Sequence, residues 1–80
     1  MSIYDVVVVI AGRLAMNEIV QSVNVSKYKL EVNMLTLEVT IDNHKEDYQI
    51  NLYDILSAIE NDRVERYIMN YIDNVITGGI

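Results

Sequence analysis

The chain lacks cysteine, proline, tryptophan and phenylalanine, and its 80 residues include one histidine and three glycines. The absence of cysteine excludes disulfides, thiolate metal sites and thiol catalysis. No low-complexity tract, internal repeat or linker is visible, so we expect residues 1–80 to form a single domain. A domain of this size buries only roughly 60–65% of the surface of its unfolded chain, and small domains often gain stability by oligomerisation.

Positive charge is scarce: six lysines and arginines stand against twelve acidic residues, for a net charge of −6. The imbalance lies in the middle, where residues 31–65 hold nine carboxylates against Lys45 and Arg63. Because phosphate groups must be neutralised by Lys and Arg, we do not expect direct binding to nucleic acid. We expect attraction to a basic protein surface, including one that itself binds nucleic acid.

Apolar residues are plentiful, at 51% of the chain. The run Val6–Ala11 is too short to span a bilayer and has no basic region before it, so we expect no membrane partner and a cytoplasmic location. So small a chain cannot bury all of its apolar side chains, which predicts a partner or self-association. The candidate interface for a homodimer is the apolar run itself, through Val6, Val7, Val9 and Ile10.

The first third of the chain predicts a helix. Ser2 and Asp5 have the spacing of a capping box, which would begin a helix at Ile3. Residues 13–24 are amphipathic at helical spacing. Four consecutive valines favour a strand instead. We therefore expect one helix from Ile3 to about Val23, with a strand as the alternative for residues 3–11.

The middle of the chain predicts antiparallel strands. Apolar and polar residues alternate over residues 28–34, and the alternation continues over 35–42 with its parity reversed. Such a one-residue shift indicates a β-bulge or tight turn at Met34–Leu35. The polar residues 43–47 then predict a turn, followed by a short strand over Tyr48–Asn51.

Two helices are expected at the end of the chain. Asn51 and Asp54 have the spacing of a helix start, and Asn61–Asp62 interrupts the apolar pattern. A capping box of Asp62 and Glu65 predicts a second helix, which ends at Gly78–Gly79. The predicted class is α+β, with an N-terminal helix, a two- or three-stranded antiparallel sheet and two C-terminal helices. One face of the sheet is expected to be covered and the other free.

The stretch DNHKEDY, residues 42–48, holds the single histidine among three carboxylates. A zinc site needs three or four converging ligands, and a calcium loop needs a longer spacing with a central glycine. We therefore interpret His44 as part of a solvated hairpin turn. Gly12 stands without the other glycines of a phosphate-binding loop, and no serine is paired with His44 by context. We expect no catalytic residue, no metal and no cofactor.

The six tyrosines divide by their surroundings. Tyr67 and Tyr71 fall on the apolar side of the last predicted helix, so we expect them in the core. Tyr48 and Tyr53 lie inside the acidic segment. Tyrosine is enriched at interfaces because it joins apolar area to a polar tip, so these two are candidates for partner contact or for ordinary packing.

The stretch LTLEVTIDNHKEDYQINLYDILSAIEN resembles the strand–turn–strand–helix part of phage-encoded anti-CRISPR proteins that inhibit an RNA-guided nuclease. The resemblance covers most of the chain by element order and charge, without a diagnostic motif. It implies a non-enzymatic inhibitor whose carboxylates occupy a basic nucleic-acid channel. The matching residues are Glu31, Glu38, Asp42, Glu46, Asp47, Asp54, Glu60 and Asp62.

Two functional hypotheses follow. The first is an acidic, non-enzymatic binding protein, encoded by a phage or mobile element, that blocks a nucleic-acid-binding host protein in the host cytoplasm. Its expected partner-binding residues are Glu31, Glu38, Asp42, Glu46, Asp47, Tyr48, Tyr53 and Asp54. The second hypothesis is a homo-oligomeric structural module that associates through the apolar N-terminal segment.

Overall fold

The computed structural model describes residues 1–29 and 33–78, with the backbone alone for residues 26–29. Its elements follow the order α1 (Ile3–Ala15), β1 (Val20–Lys29), β2 (Met34–Ile41), β3 (His44–Asn51), α2 (Leu52–Glu60) and α3 (Val64–Gly78). The three strands form one antiparallel sheet in the order β1-β2-β3. The predicted α+β class and element order are confirmed.

Helix α1 begins as its sequence predicts but ends eight residues early. The Ser2 hydroxyl accepts a hydrogen bond from the Asp5 amide at 3.1 Å, and the Asp5 carboxylate accepts one from the Ser2 amide at 3.0 Å. The prediction that the helix continues to Val23 is wrong. The Asn17 side chain accepts a hydrogen bond from the Ile19 amide at 3.1 Å, and this local turn leads the chain into β1.

The strand β1 occupies residues that helical spacing had assigned to α1. Val20 is buried opposite Ile41, and Val23 pairs with Val39. The predicted strand over 28–34 is corrected: Tyr28 and Lys29 end β1, residues 30–32 lie outside the described residues, and Asn33 has a positive φ of 50°. Asn33, with its left-handed backbone, directly precedes the start of β2 at Met34, where the sequence predicts a parity change.

The connection between β2 and β3 is a two-residue turn. Asp42 and Asn43 have φ values of 53° and 63°, the left-handed geometry that suits the twist of a tight hairpin. Gln21 of β1 holds this turn, because its side-chain oxygen accepts from the Asn43 amide at 2.7 Å. The strand β3 therefore begins at His44, four residues before the predicted Tyr48.

The C-terminal helices form where the sequence predicts, with one different cap. The Asn51 side chain accepts from the Tyr53 amide at 2.9 Å and caps α2. The capping box predicted for Asp62 and Glu65 is wrong. The Glu65 carboxylate instead accepts hydrogen bonds from both terminal nitrogens of Arg13, at 2.7 and 3.1 Å. This ion pair joins α1 to α3, and it lowers the pKa of Glu65.

The core lies between the helices and one face of the sheet. Alternate residues of β2 point into it, and the intervening Thr36, Glu38 and Thr40 lie on the opposite, helix-free face. The most deeply buried side chains belong to all three helices and two strands: Val6, Ile10, Leu14, Leu37, Val39, Ile50, Ile55, Ile68 and Val75. One sheet face is covered and the other is free, as the sequence predicts.

Candidate functional site

The hairpin of β2 and β3 is the most acidic feature that the structure assembles. Between Met34 and Asn51 it carries four carboxylates and one lysine. The strand β3 forms one edge of the sheet, and its residues 44–47 and 49 are exposed. We refer to Glu38, Asp42, Glu46 and Asp47 as the hairpin carboxylates.

The hairpin carboxylates do not share one face. Cross-strand partners point to the same side of a sheet, and Glu38 pairs with Asp47 on the helix-free face. Glu46 pairs with the buried Val39 and therefore points to the helix side. Asp42 lies between them, exposed in the turn. The acidic surface thus wraps around the edge of the sheet.

One cation partly neutralises this surface. The Lys45 ammonium lies 3.1 Å from a carboxylate oxygen of Glu38, with 59% of the lysine side chain and 24% of the glutamate side chain exposed. Glu46 and Asp47 follow Lys45 in β3, so the hairpin remains acidic at its exposed edge.

On the helix side, β3 borders an open groove of about 330 Å³ that ends at the C-terminus of α3. Val39 and Ile41 form its apolar floor, and Gly78 marks the helix end. His44, Glu46 and Tyr48 line the strand side. Within residues 1–29 and 33–78, no three His, Cys, Asp or Glu side chains come together as metal ligands.

Two of the eight predicted partner-binding residues lie away from the hairpin turn. Tyr53 and Asp54 belong to the first turn of α2, beyond the other end of β3. Asp54 borders a polar groove that also contains Gln49, Tyr67 and Tyr71. Glu31 is outside the described residues. The structure therefore brings together Glu38, Asp42, Glu46, Asp47 and Tyr48, and separates Tyr53 and Asp54 from them.

The polar groove contains two half-buried tyrosines. Burial, and then the charge of Asp54, raises the pKa of Tyr67 to about 12. Burial is also the main cause of the raised pKa of Tyr71, whose hydroxyl donates to the Gln49 carbonyl at 3.2 Å. Both tyrosines pack against the core, as predicted, and Tyr71 also occupies the Gln49 carbonyl at the β3 edge.

The residues proposed from sequence for a homodimer interface lie mostly inside the chain. Val6, Val7 and Ile10 are 0%, 6% and 0% exposed, and Val9 is partly buried and packs against the core. Their contacts are already made within the monomer. The apolar side chains that α1 presents to solvent are instead Tyr4 and Val8, at 68% and 69% exposure.

Sequence reasoning missed this exposed face of α1. Tyr4, Val8 and Ala15 share it, at helical spacing that could have revealed it. Tyr4 continues into a shallow groove with Tyr53 and Leu56 of α2. Periodicity did not identify this face, because residues Val6–Ile10 are apolar on every side of the helix.

Comparisons with protein-family models, curated proteins and solved structures found no match to this chain. In the part of the chain that the structure describes, no helix has the length and apolar character needed to cross a membrane.

Proposed function

We propose that this chain is a non-enzymatic binding protein that attaches through its acidic hairpin to a basic surface of a nucleic-acid-binding protein. The observation that carries the proposal is the grouping of Asp42, Glu46 and Asp47 at an exposed sheet edge. Carboxylates in such a position compete with phosphates for Lys and Arg side chains. Binding there would exclude nucleic acid, which is the mode that the resemblance to anti-CRISPR inhibitors implies.

The charge of the whole chain supports the same proposal. A net charge of −6 repels nucleic acid and attracts a basic partner over long range. Exposed charges are screened over about 8–10 Å at moderate ionic strength, so affinity should fall as salt rises. An inhibitor of this kind, encoded by a phage or mobile element, would act in the cytoplasm of the host.

The test is capture of partners from host lysate with nuclease present, followed by mass spectrometry. The hairpin variant Asp42→Asn, Glu46→Gln, Asp47→Asn removes three charges where the proposal needs them. The matched control Glu18→Gln, Asp62→Asn, Asp73→Asn removes three exposed charges outside the expected partner-binding residues and has the same net charge.

We expect the native chain and the control variant to retain a nucleic-acid-binding protein that the hairpin variant loses. Affinity for the purified partner should drop between 50 and 200 mM salt, and the partner should release its nucleic acid when the chain binds. The proposal would be contradicted if both variants captured the partner equally, or if the affinity for the partner did not change with salt concentration.

A second candidate function, self-association, is favoured by the exposed apolar face of α1. Tyr4 lines a groove with Tyr53 and Leu56 of α2, and Val8 is exposed one helical turn further along the same face. Exposed apolar surface of this kind on a small domain marks an interaction site. The corresponding function is a homodimeric module, and it is compatible with the first because an inhibitor can also be a dimer.

Sedimentation velocity at high micromolar concentration tests self-association. Val8→Arg places a charge on the α1 face and should give a monomer. Val25→Arg, at an exposed valine of β1, is the matched control and should leave the dimer intact. A native chain that stays monomeric would refute this second function.

A further inference from the structure

The two edges of the sheet are built differently. The outer strand β1 departs from regular pairing between Val20 and Ser22 and again between Val25 and Lys27. Such irregularities protect an edge against pairing with another strand. The other outer strand, β3, pairs residue by residue with β2 from His44 to Asn51. A regular edge of this kind is a template for an additional strand.

The backbone groups that β3 offers can be assigned. A two-residue hairpin is closed by the hydrogen-bonded pair Ile41–His44, and in an antiparallel ladder such pairs alternate with pairs that are not hydrogen-bonded. The N–H and C=O groups of Lys45, Asp47 and Gln49 therefore point away from β2. The Tyr71 hydroxyl donates to the Gln49 carbonyl, which agrees with this assignment.

Tyr71 also divides the edge. It occupies the Gln49 carbonyl near the end of β3, whereas Lys45 and Asp47 lie in the exposed first half of the strand. We propose that residues 44–48 of β3 receive an extended basic segment of the partner protein as a fourth strand. This inference rests on the proposed function and adds the mode of binding to it.

Charge decides between a basic segment and a second copy of this chain. In a two-fold pairing of β3 with itself, residues at the axis lie opposite their own copies. Along the exposed half of the edge those residues are Lys45, Glu46 or Asp47, so each register sets one pair of like charges at the axis. The register centred on Glu46 also places Lys45 opposite Asp47. Like charges directly opposite in a sheet destabilise the pair. Because Asp42, Glu46 and Asp47 stand against the single Lys45 in each copy, a basic segment is favoured over a second copy.

A basic segment fits both sides of the same edge. Successive side chains of a strand point to opposite faces, so a chain with cations on both sides meets Asp47 on the helix-free face and Glu46 on the helix side. Opposite charges across paired strands stabilise the pair, while the backbone hydrogen bonds supply affinity. Adjacent lysines or arginines place cations on both faces of a strand, whereas strict alternation of lysine and valine places them all on one face.

The experiment uses a defined peptide of seven residues, in which pairs of adjacent lysines are separated by single valines so that both faces of the extended peptide carry cations. It is blocked at both ends and added to the ¹⁵N-labelled full chain. The matched control peptide carries a methyl group on every backbone amide, which keeps its charges but removes its hydrogen-bond donors. NMR measures affinity from shift changes and measures hydrogen exchange at individual amides.

The expected exchange pattern alternates along β3. The amides of Lys45 and Asp47 should exchange fast in the free chain and slow down by about tenfold or more when the peptide binds. Those of Glu46 and Tyr48, already bonded to β2, should be protected throughout and serve as internal controls. The methylated peptide should bind at least about tenfold more weakly, because the hydrogen bonds to the edge are lost.

Three results would overturn the inference. If both peptides bind equally and both lose affinity to Glu46→Gln with Asp47→Asn, the acidic surface binds cations without adding a strand, and the proposed function stands. If neither peptide binds, the edge does not receive basic strands. The proposed function is then tested separately, by the capture of partners from lysate. Protection of Lys45 and Asp47 that rises with protein concentration alone would assign the edge to a second copy.

Discussion

Two valines of α1, two positions apart, lie in opposite environments. Val6 is 0% exposed and Val8 is 69% exposed. In the sequence they belong to one uniform run of four valines, so their difference arises entirely from the packing of α1 on the sheet and the other helices.

This difference predicts a large contrast between identical substitutions. Val6→Ala should lower the free energy of unfolding by about 2 kcal/mol, because two buried carbons are removed and a cavity is left. Val8→Ala should be neutral or raise it by a few tenths of a kcal/mol, because alanine is the better helix former. Urea denaturation measures both. Equal effects would mean that α1 does not pack through the Val6 side.

The half-buried tyrosines predict a loss of stability at high pH. The pKa of Tyr67 is about 12 in the folded chain, above its ordinary value of 10.0, so folding favours the neutral phenol. This contribution is fully present below pH 10 and is lost as the pH rises through about 12. Denaturation midpoints should fall across that window, and less steeply in Tyr67→Phe. Absorbance titration should show tyrosine ionisation near pH 12 that Tyr67→Phe reduces.

At the scale of elements, the hairpin turn depends on a backbone conformation that few side chains adopt. Asp42 and Asn43 both have positive φ, which Asn, Asp and Gly tolerate best. The Asn43 side chain also accepts from the Gln21 amide group at 3.1 Å. The turn therefore combines a local preference with a contact to β1.

Two substitutions at Asn43 separate these effects. Both Asn43→Ala and Asn43→Gly lose the side-chain contact with Gln21, but only alanine is strained at a φ of 63°. We expect the alanine variant to be less stable than the glycine variant by about 1 kcal/mol. Urea denaturation of the two variants provides the comparison, and equal stability would argue against a left-handed residue in the turn.

At the scale of the whole molecule, one core joins every element. Helix α1 contacts β1, α2 and α3, and its Arg13 pairs with Glu65 of α3. Residues from the two termini of the described chain, such as Val6 and Val75, belong to the same buried cluster. No part of the described structure has a separate core.

The shared core predicts a single cooperative unfolding transition. Helical content measured by circular dichroism and tertiary packing measured by tyrosine fluorescence should change together during urea denaturation. Two separate midpoints would show that the sheet and the C-terminal helices unfold independently.

The sequence by itself determined the features that depend on nearby residues. The capping box of Ser2 and Asp5 and the start of α2 at Asn51 each rely on hydrogen bonds within a few positions. The polar stretch after Ile41 likewise predicted a turn, although the turn is shorter than the predicted residues 43–47. The alternation in 35–41 likewise predicted which side of β2 is buried. These local signals were sufficient for the α+β class and the element order.

Only the tertiary structure decided the features that depend on distant contacts. The residues Val20 and Val23 suit a helical stripe as well as a strand, and pairing with Ile41 and Val39 selects the strand. Glu65 leaves its predicted cap because Arg13, distant in sequence, provides a charged partner. The same dependence divides the acidic segment, because carboxylates that are neighbours in sequence point to opposite faces once β3 joins the sheet.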